Sequence, residues 1–250
     1  VSRFNQKPSY DSTPNVFLVG APKSGTTSLH NYLKQHPQVW VSIPKEPYYF
    51  IENNSLFTSK EEYLDLWNDV NVPIRLEASP TYLYSGEACR NIHDFNPEAK
   101  ILILLREPTA LLHSLHQQLV NRHREPIRSF KEALDAEKDR LGTTSPPSRY
   151  KLSYSSYVHF SDHIEMYRER FGTNQVKTIL LQDLAQNPQQ TYQDILTFLN
   201  LPPHHPEFRT YNQRRTLKYP PIHNKAFKPT SPIRHHPPPY APHSVPIPTR

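Results

Sequence analysis

A short segment near the start of the chain combines a cation, two glycines and several hydroxyls. Residues 20–29 read GAPKSGTTSL, so Lys23 lies between Gly20 and Gly25, and a run of hydroxyl side chains follows. The segment comes directly after the apolar run Val16–Val19, which predicts a buried strand, and a stretch with helical spacing follows it. Backbone N–H groups at a helix N-terminus bind phosphate oxygens, and glycine lets the ligand approach closely. The segment therefore predicts a phosphate-binding loop.

The loop differs from the P-loop of nucleoside-triphosphate enzymes in the place of its lysine. The spacing of Gly20 and Gly25 matches the P-loop pattern, but Thr26 occupies the usual lysine position and Lys23 lies inside the loop. The P-loop lysine contacts the phosphates of the nucleotide and acts together with a Mg²⁺ site. The sequence thus keeps the P-loop-like phosphate cradle and moves the cation. A strand–turn–helix with a glycine cap and no ligand is the structural alternative.

Apolar runs and helical periodicities alternate along the chain, which predicts an α/β fold. The strongest strand signal is ILILL, because an apolar run on both faces is typical of a parallel strand covered by helices. We expect three layers, with a mostly parallel central sheet and helices on both faces. The predicted strands are Val16–Val19, Val39–Val41, Ile74–Glu77, Ile101–Leu105 and Val176–Leu181. The predicted helices are Thr26–Gln35, Glu107–Val120, one capped by Ser129, Ser156–Phe171 and one that begins at Asn187–Pro188.

The positive charge is concentrated at the C-terminal end. The 250 residues have a formal net charge of +6, but residues 208–250 contain eight Lys or Arg and no acidic residue. Residues 1–207 contain 21 basic and 23 acidic residues. A nucleic-acid-binding domain needs a basic face of its own, so we expect no nucleic-acid partner. We expect an N-terminal arm at residues 1–14, one domain at residues 15–218 and a Pro- and His-rich basic tail at residues 219–250.

Cysteine content and hydropathy exclude several classes of protein. Cys89 is the only cysteine, so the chain has no internal disulfide and no cysteine-built zinc site. No apolar run approaches the roughly 18 residues of a membrane helix. His113 and His116 lie on one helical face, but no acidic partner motif accompanies them, and we expect no metal site. A chain without a disulfide suits a reducing compartment, which favours a cytoplasmic over a Golgi location.

Two motifs resemble those of sulfotransferases that use 3′-phosphoadenosine 5′-phosphosulfate (PAPS). PKSGTTSL at residues 22–29 resembles the 5′-phosphosulfate loop of that family. LREP at residues 105–108, followed by Ser114 on the next helix, resembles its 3′-phosphate motif. The resemblance implies that Arg106 and Ser114 hold the 3′-phosphate. It further implies that Lys23 contacts the leaving oxygen between sulfur and the 5′-phosphate. The residues implied to bind the 5′-phosphate are Ser24, Gly25, Thr26, Thr27 and Ser28.

Three further segments resemble the branch of this family that sulfates glycans. PKEPYYF at residues 44–50 resembles a stretch in which the glutamate is the catalytic base, which implies that role for Glu46. EASPTY at residues 77–82 resembles a substrate-side segment. RRTLKYP at residues 214–220 resembles a basic loop that closes over the nucleotide. The cofactor-binding residues implied by this last segment are Arg214, Arg215 and Lys218.

The tyrosines of these segments allow two interpretations. They could line an aromatic cleft for the acceptor, or they could be half-buried packing residues, since tyrosine serves both purposes. The residues concerned are Tyr48, Tyr49, Tyr82 and Tyr84.

The resemblance implies an enzyme that transfers a sulfuryl group from PAPS to a hydroxyl or amine of a small-molecule or glycan acceptor. The attacking and leaving oxygens would lie in line, Glu46 would take the acceptor proton, and no metal is required. One alternative is a P-loop nucleotide kinase, which depends on Mg²⁺ and ATP. Another is a non-catalytic module whose Pro-rich tail binds SH3-like or WW-like domains. The joint presence of Lys23, Arg106, Ser114 and Glu46 argues against such a module.

Overall fold

The computed structural model describes residues 13–52, 55–143, 153–209 and 211, all within one compact unit that ends at Gln213. The predicted tail at residues 219–250 and most of the predicted arm at residues 1–14 lie outside the described residues. The domain boundary at residue 218 therefore stays a prediction. The same holds for the nucleotide contacts of Arg214, Arg215 and Lys218, which also lie outside.

Five parallel strands form the central sheet of the described residues. They are β1 (Val16–Gly20), β2 (Val39–Val41), β3 (Ile74–Ala78), β4 (Lys100–Leu105) and β5 (Val176–Leu180). Their order in the sheet is β2–β3–β1–β4–β5, and every neighbouring pair is parallel. The predicted α/β fold class is thus confirmed. Because the strands are parallel, the loops that follow β1, β2, β3 and β4 all begin at one edge of the sheet.

The described helices follow the predicted alternation with the strands. Four of them begin at side-chain caps. The Glu107 carboxylate accepts from the N–H groups of Thr109 and Ala110, and the hydroxyls of Ser59, Ser85 and Ser129 accept from the N–H groups of Glu62, Ala88 and Glu132 in turn. Within the described residues, none of the helices has the length and apolar character that a membrane span requires. The helices are α1 (Thr26–Leu33), α2 (Lys60–Leu64), α3 (Gly86–Phe95), α4 (Pro108–Asn121), α5 (Phe130–Asp135), α6 (Glu137–Thr143), α7 (Phe160–Phe171), α8 (Leu181–Gln186) and α9 (Pro188–Leu199).

The sheet separates two hydrophobic clusters, as the predicted three-layer arrangement requires. Side chains alternate across a strand, so Val16 and Leu18 of β1 pack in one cluster, with residues of α1 and α9. Phe17 and Val19 of β1 pack in the other, with residues of α3 and α7. Because β1 is buried on both faces, its carboxyl end is held rigidly where the Lys23 loop begins.

The helix predicted at Ser156–Phe171 is interrupted, so this prediction was wrong in its first turn. Ser155–Val158 form a 3₁₀-helix, and α7 begins only at Phe160. His159, between the two, has φ −77° and ψ 58°, which lies outside the helical region. The hydrophobic spacing on which the prediction rested does not reveal this change of backbone direction.

Gly20, the last residue of β1, is in close contact with Leu83. A Cβ at residue 20 would lie 2.5 Å from the Leu83 Cβ, which no packed structure tolerates without a shift. We expect Gly20→Ala to lower the free energy of unfolding by about 1–3 kcal/mol, as overpacking of a core does. Urea unfolding measures this. Gly86→Ala is the matched control, because a Cβ there meets atoms only at ordinary contact distance, 3.6 Å or more. Equal stability of Gly20→Ala and the wild type would contradict the prediction.

Candidate active site

The loop between β1 and α1 leaves several polar groups without partners. The N–H groups of Gly25, Thr26 and Thr27 donate to no acceptor among the described residues, because they lie at the start of α1. The Ser24 hydroxyl is fully buried and also has no partner among these residues. Lys23 and Gly25 have positive φ angles of 66° and 88°, which is typical of anion-binding backbone turns. The loop therefore fits a phosphate group.

Gly25 is fixed as glycine by two constraints. Its φ of 88° lies in the left-handed region, and a Cβ there would lie 2.7 Å from the Leu181 Cδ1. Ser28 lies farther along, in the first turn of α1, and its side chain opposes the rise that burial causes in the pKa of Tyr32. Ser28 is thus on the side of the loop predicted for the 5′-phosphate.

The end of β4 brings a second cation to the loop. Arg106 follows β4 directly, and its guanidinium donates to the Lys23 carbonyl at 3.2 Å. The N–H of Ala21 donates to the Leu104 carbonyl at 2.6 Å, which ties the loop to β4. Ser114 lies half-buried on α4, the helix that begins just after Arg106. The structure therefore places Arg106 against the phosphate loop and Ser114 two turns along the following helix.

Electrostatic interactions connect Lys23 to the other charged residues predicted for the site. Burial lowers the pKa of Lys23 below its ordinary value, the charges of Arg122 and Arg106 lower it further, and the charge of Glu46 opposes them. These effects require the four side chains to lie near one another. The structure thus brings the predicted catalytic pair, Lys23 and Glu46, into one site.

Glu46 is held by its neighbours on both oxygens. The Lys45 ammonium donates to Oε1 and the Tyr48 hydroxyl donates to Oε2, both at 2.6 Å. Its N–H donates to the carbonyl of Ala78 at the end of β3, at 3.1 Å. The side chain of Glu46 is 40% exposed, so an incoming group can reach it. The geometry suits a carboxylate that meets an acceptor at the edge of the sheet.

The surroundings of Glu46 keep it ionised. Burial alone would raise the pKa of this carboxyl. The hydrogen bonds from Lys45 and Tyr48 and the charges of Lys45 and Arg122 outweigh burial, so the pKa lies below its usual value. Burial and the adjacent carboxylate raise the pKa of Tyr48, which stays a hydrogen-bond donor.

Arg122 is a site residue that the sequence analysis missed. It is the exposed C-cap of α4, and its charge acts on Lys23, Glu46 and Tyr48. No motif includes it. Its place at the end of the helix that carries Ser114 could be read from the sequence. That place indicates a role in the site only when the end of α4 is known to lie near Glu46.

The turn that begins at Arg122 is fixed from inside by Glu125. This buried carboxylate accepts two hydrogen bonds from Arg140, at 2.7 and 2.8 Å, and one from the Tyr154 hydroxyl at 2.8 Å. Burial raises its pKa, but these hydrogen bonds and the N–H of Ile127 lower it more. A buried bidentate ion pair is costly to break. The backbone that carries Arg122 is therefore rigid.

Most of the tyrosines considered for an acceptor cleft are packing residues. Tyr82 is fully buried, and the Tyr84 hydroxyl donates to a backbone carbonyl at 3.3 Å. The ring of Tyr49 stacks on Tyr63, with 4.1 Å between centroids. Only Tyr48 contacts a predicted catalytic residue. The packing interpretation therefore describes Tyr49, Tyr82 and Tyr84.

Several side chains of the segment at residues 77–82, which is expected on the substrate side, point inward. Glu77 and Tyr82 are 0% exposed and Ser79 is 1% exposed, so none of these side chains can meet an acceptor directly. The physical reason is that β3 lies between β2 and β1, with packed layers on both faces. Thr81 differs from these residues, because it is only partly buried and its side chain bears on the pKa of Tyr48.

The histidines have structural environments. Burial, with the charges of Lys45 and Lys34, lowers the pKa of His30 to about 4, so it is neutral at physiological pH. The His116 Nε2 lies 2.9 Å from the Ile127 carbonyl, and the His113 ring packs edge-on against Phe130. Among the described residues, no three His, Cys, Asp or Glu side chains are grouped in a way that could hold a metal ion.

The family model described as "Sulfotransferase domain" matches residues 13–228 of the chain. This match covers most of the chain and its phosphate loop, Arg106, Ser114 and Glu46. The chain therefore belongs to the sulfotransferase domain family, and the predicted family and class of enzyme are confirmed. The comparisons support sulfuryl transfer and do not favour a nucleotide kinase.

Two curated relatives illustrate the match. A bifunctional heparan sulfate N-deacetylase/N-sulfotransferase 1 from Caenorhabditis briggsae is 29% identical over 203 residues, which are 76% of this chain and 23% of the relative. Heparan sulfate glucosamine 3-O-sulfotransferase 5 from Mus musculus is 27% identical over 204 residues, 79% of this chain and 56% of the relative. The chain thus spans about a quarter of the first relative and about half of the second.

Solved structures agree with the fold. A sulfotransferase from Alicyclobacillus acidocaldarius matches with a TM-score of 0.70 and 31% identity, over 80% of this chain and 87% of that chain. The mouse sulfotransferase SULT7A1, complexed with PAP (3′-phosphoadenosine 5′-phosphate), matches with a TM-score of 0.50 and 15% identity, over 79% of this chain and 62% of that chain. The second likeness supports the fold alone.

Proposed function

We propose that the protein transfers a sulfuryl group from PAPS to a hydroxyl or amine of an acceptor. The observation that carries this proposal is the meeting of a phosphate-binding loop with an ionised carboxylate at one edge of the sheet. The charges of Lys23 and Glu46 act on each other there, so the site combines an anion cradle and a proton acceptor. PAPS, when bound, supplies the sulfuryl group and leaves as PAP.

The residues of the site form a nucleotide side and an acceptor side. The N–H groups of Gly25, Thr26 and Thr27 and the Ser24 hydroxyl would hold the 5′-phosphate. Lys23 would stabilise negative charge on the leaving oxygen. A 3′-phosphate site formed by Arg106 and Ser114 at the end of β4 completes the nucleotide contacts of the described residues.

Glu46 acts on the acceptor side. Its carboxylate would take the proton of the attacking hydroxyl or amine, with Tyr48 and Lys45 orienting its two oxygens. The Thr26 side chain stands where a kinase needs a lysine, so the site lacks the cation that a nucleoside triphosphate requires in its usual place. Both features favour sulfuryl transfer over phosphoryl transfer.

The charges around Glu46 favour an acceptor that is itself anionic. Arg122 adds an exposed guanidinium on a rigid turn beside Glu46, and no ion pair joins it to another described residue. A guanidinium binds carboxylate or sulfate with two parallel hydrogen bonds. The names of the curated relatives include heparan sulfate, a polyanion. We therefore propose an acceptor that carries a carboxylate or sulfate near the reacting group.

Nucleotide binding is tested first, with Arg106→Ala and PAP. We expect PAP to bind the wild type without a metal, and the substitution to weaken binding by about 1.5–3 kcal/mol, the range for a charged hydrogen bond. Calorimetry measures this, with ATP and Mg²⁺ as the competing ligand. Arg90→Ala is the control, because Arg90 lies exposed on α3 and its charge acts on neither Lys23 nor Glu46. Preference for Mg²⁺-ATP over metal-free PAP would overturn the proposal.

The role of Glu46 is tested with Glu46→Gln. Loss of a general base should lower kcat by about 10²–10⁴-fold. The affinity for PAP should stay within about twofold, because the phosphate loop is unchanged. Transfer from radiolabelled PAPS to acceptors found by screening measures kcat. Glu98→Gln removes an exposed carboxylate elsewhere and should leave kcat as it is. Normal turnover in Glu46→Gln would rule out the base assignment.

The acceptor class is tested with Arg122→Gln. Two probes of equal length are titrated into the PAP-loaded protein. One is a neutral chitin oligosaccharide, and the other is an anionic heparosan oligosaccharide. We expect the wild type to bind the carboxylate-bearing probe more tightly than the neutral one. The substitution should lower the affinity for that probe alone, by about tenfold or more. Arg124→Gln, an exposed neighbour in the same turn, is the control. Equal binding of both probes by the wild type, or binding of neither, would contradict an anionic acceptor.

A further inference from the structure

Glu77 is a fully buried acidic residue that the proposed mechanism does not use. It lies on β3 with 0% of its surface exposed. The Ser79 hydroxyl donates to Oε1 at 2.9 Å, and the Tyr63 hydroxyl donates to Oε2. Tyr82 adds a third hydroxyl within hydrogen-bond reach. Burying a carboxyl group without a cation beside it costs free energy of folding. We therefore ask what its hydrogen-bond partners do elsewhere in the structure.

Two partners of Glu77 hold the backbone that follows Glu46. The Tyr48 N–H donates to the Ser79 hydroxyl oxygen at 3.3 Å, while the same hydroxyl donates its own proton to Glu77. The Phe50 N–H donates to the Tyr82 hydroxyl oxygen at 3.2 Å. A hydroxyl that donates to Glu77 presents its lone pairs to these N–H groups. The carboxylate therefore sets the direction in which the Ser79 hydroxyl binds, and the nearby Tyr82 hydroxyl holds the Phe50 N–H beside it.

The third partner, Tyr63, holds the side chain of Tyr49, which lies between Tyr48 and Phe50 in the chain. Tyr63 donates to Glu77, and its ring stacks on Tyr49 with an interplanar angle of 5°. The three hydroxyl partners of Glu77 thus contact three consecutive residues, 48, 49 and 50. A chain segment held at successive residues by one buried group cannot move without disturbing that group.

The held segment adopts a backbone conformation that needs support. Glu46 and Tyr48 have φ angles of 65° and 54°, in the left-handed region that only glycine adopts readily. Such residues persist where the surrounding contacts determine them. The N–H of Glu46 also donates to the carbonyl of Ala78, the residue after Glu77. These contacts from residues next to Glu77 or bonded to it act together with two others, the N–H of Leu56 on the Pro47 carbonyl and the side-chain amide of Asn91 on the Phe50 carbonyl.

We propose that Glu77 is a positioning residue, which acts through Ser79, Tyr63 and Tyr82 to hold residues 46–50 in the conformation that places Glu46 in the active site. The proposal rests on the base role given to Glu46 above. Glu77 itself touches no substrate. It acts on the reaction only by fixing where the Glu46 carboxylate lies and how the Tyr48 hydroxyl meets it.

The protonation of Glu77 provides a signature of this arrangement. Burial raises the pKa of Glu77 to about 7, although hydrogen bonds from Tyr63, Tyr82 and Ser79 lower it in part. The groups that face Glu77 are Tyr63 from α2, Tyr82 from the 3₁₀-helix Pro80–Tyr84, Tyr167 from α7, and Ser79. Among the described residues, none of these carries a formal charge at neutral pH.

The experiment compares amide hydrogen exchange in wild type, Glu77→Gln and Ser79→Ala, all as the full chain at pH 8. Glutamine keeps one acceptor oxygen and adds a donor, so Ser79 and Tyr63 cannot both donate to it. We expect the peptide covering residues 46–50 to exchange at least tenfold faster in both variants. Tyr192→Phe is the control, since it removes a buried tyrosine hydroxyl from the opposite cluster and should leave this peptide unchanged.

The outcomes separate positioning from general destabilisation and from the proposed reaction. Wild-type exchange in both variants, or equally fast exchange in Tyr192→Phe, would overturn the proposal. If Glu77→Gln does not fold, the Ser79→Ala result decides, because that change keeps Glu77. PAP affinity, measured in parallel, should stay unchanged and kcat should fall at least tenfold in Glu77→Gln. Absence of PAP binding in the wild type would instead contradict the proposed function and leave the exchange result valid.

Unfolding at different pH values tests whether Glu77 titrates while buried. Its folded pKa is about 7 and its unfolded pKa about 4.5, so the folded state binds the extra proton between these values. This group's contribution to stability is therefore lost as the pH rises from about 4.5 to about 7. Relative to Glu77→Gln, the unfolding equilibrium constant of the wild type should rise about 10²-fold over that range. A constant ratio would mean that Glu77 does not titrate in this way, and would contradict the buried environment described for it.

Discussion

The site depends on three backbone N–H groups at the start of α1 that have no acceptor among the described residues. Such groups are costly to bury unless an acceptor satisfies them, and an anion is a favourable acceptor at this end of a helix. Their position is fixed by β1, a strand buried on both faces, and by Gly25, whose backbone no larger residue could adopt there. Lys23 and Arg106 add cations around the same point. The backbone N–H groups thus favour an anion by themselves, and the cationic side chains strengthen that preference.

The acceptor side of the site depends on a second buried element, Glu77. The anion cradle sits at the end of β1, and Glu46 follows β2, so a strand separates the two in the sheet. That strand is β3, which carries Glu77, and its carbonyl at Ala78 receives the N–H of Glu46. The sheet register therefore determines the distance between the two halves of the chemistry, and the hydroxyls around Glu77 determine the orientation of the second half.

The sequence predicted those features that depend on local pattern. Apolar runs located the five strands within one or two residues, and glycine spacing located the phosphate loop. Glu46 was recognised from its neighbours, although its pairing with Tyr48 was not. The features that sequence did not reveal depend on contacts distant along the chain. The charge of Arg122 acts on Glu46 only because the fold brings the end of α4 near the segment that follows β2, and the inward direction of Glu77 follows from layers packed on both faces of the sheet.

The electrostatics of Glu46 constrain how it can assist the reaction. Lys45 and Arg122 keep its pKa below the usual value for a carboxyl, so it is a weak base at neutral pH. A weak base contributes little by proton affinity before bond formation, since efficiency follows basicity. In the proposed role as a base, Glu46 contributes late, when the acceptor proton has become acidic, and relies on exact orientation of the attacking atom. For such a role, the fixed orientation of Glu46 on the closely held backbone of residues 46–50 matters more than a higher pKa of its carboxyl group would.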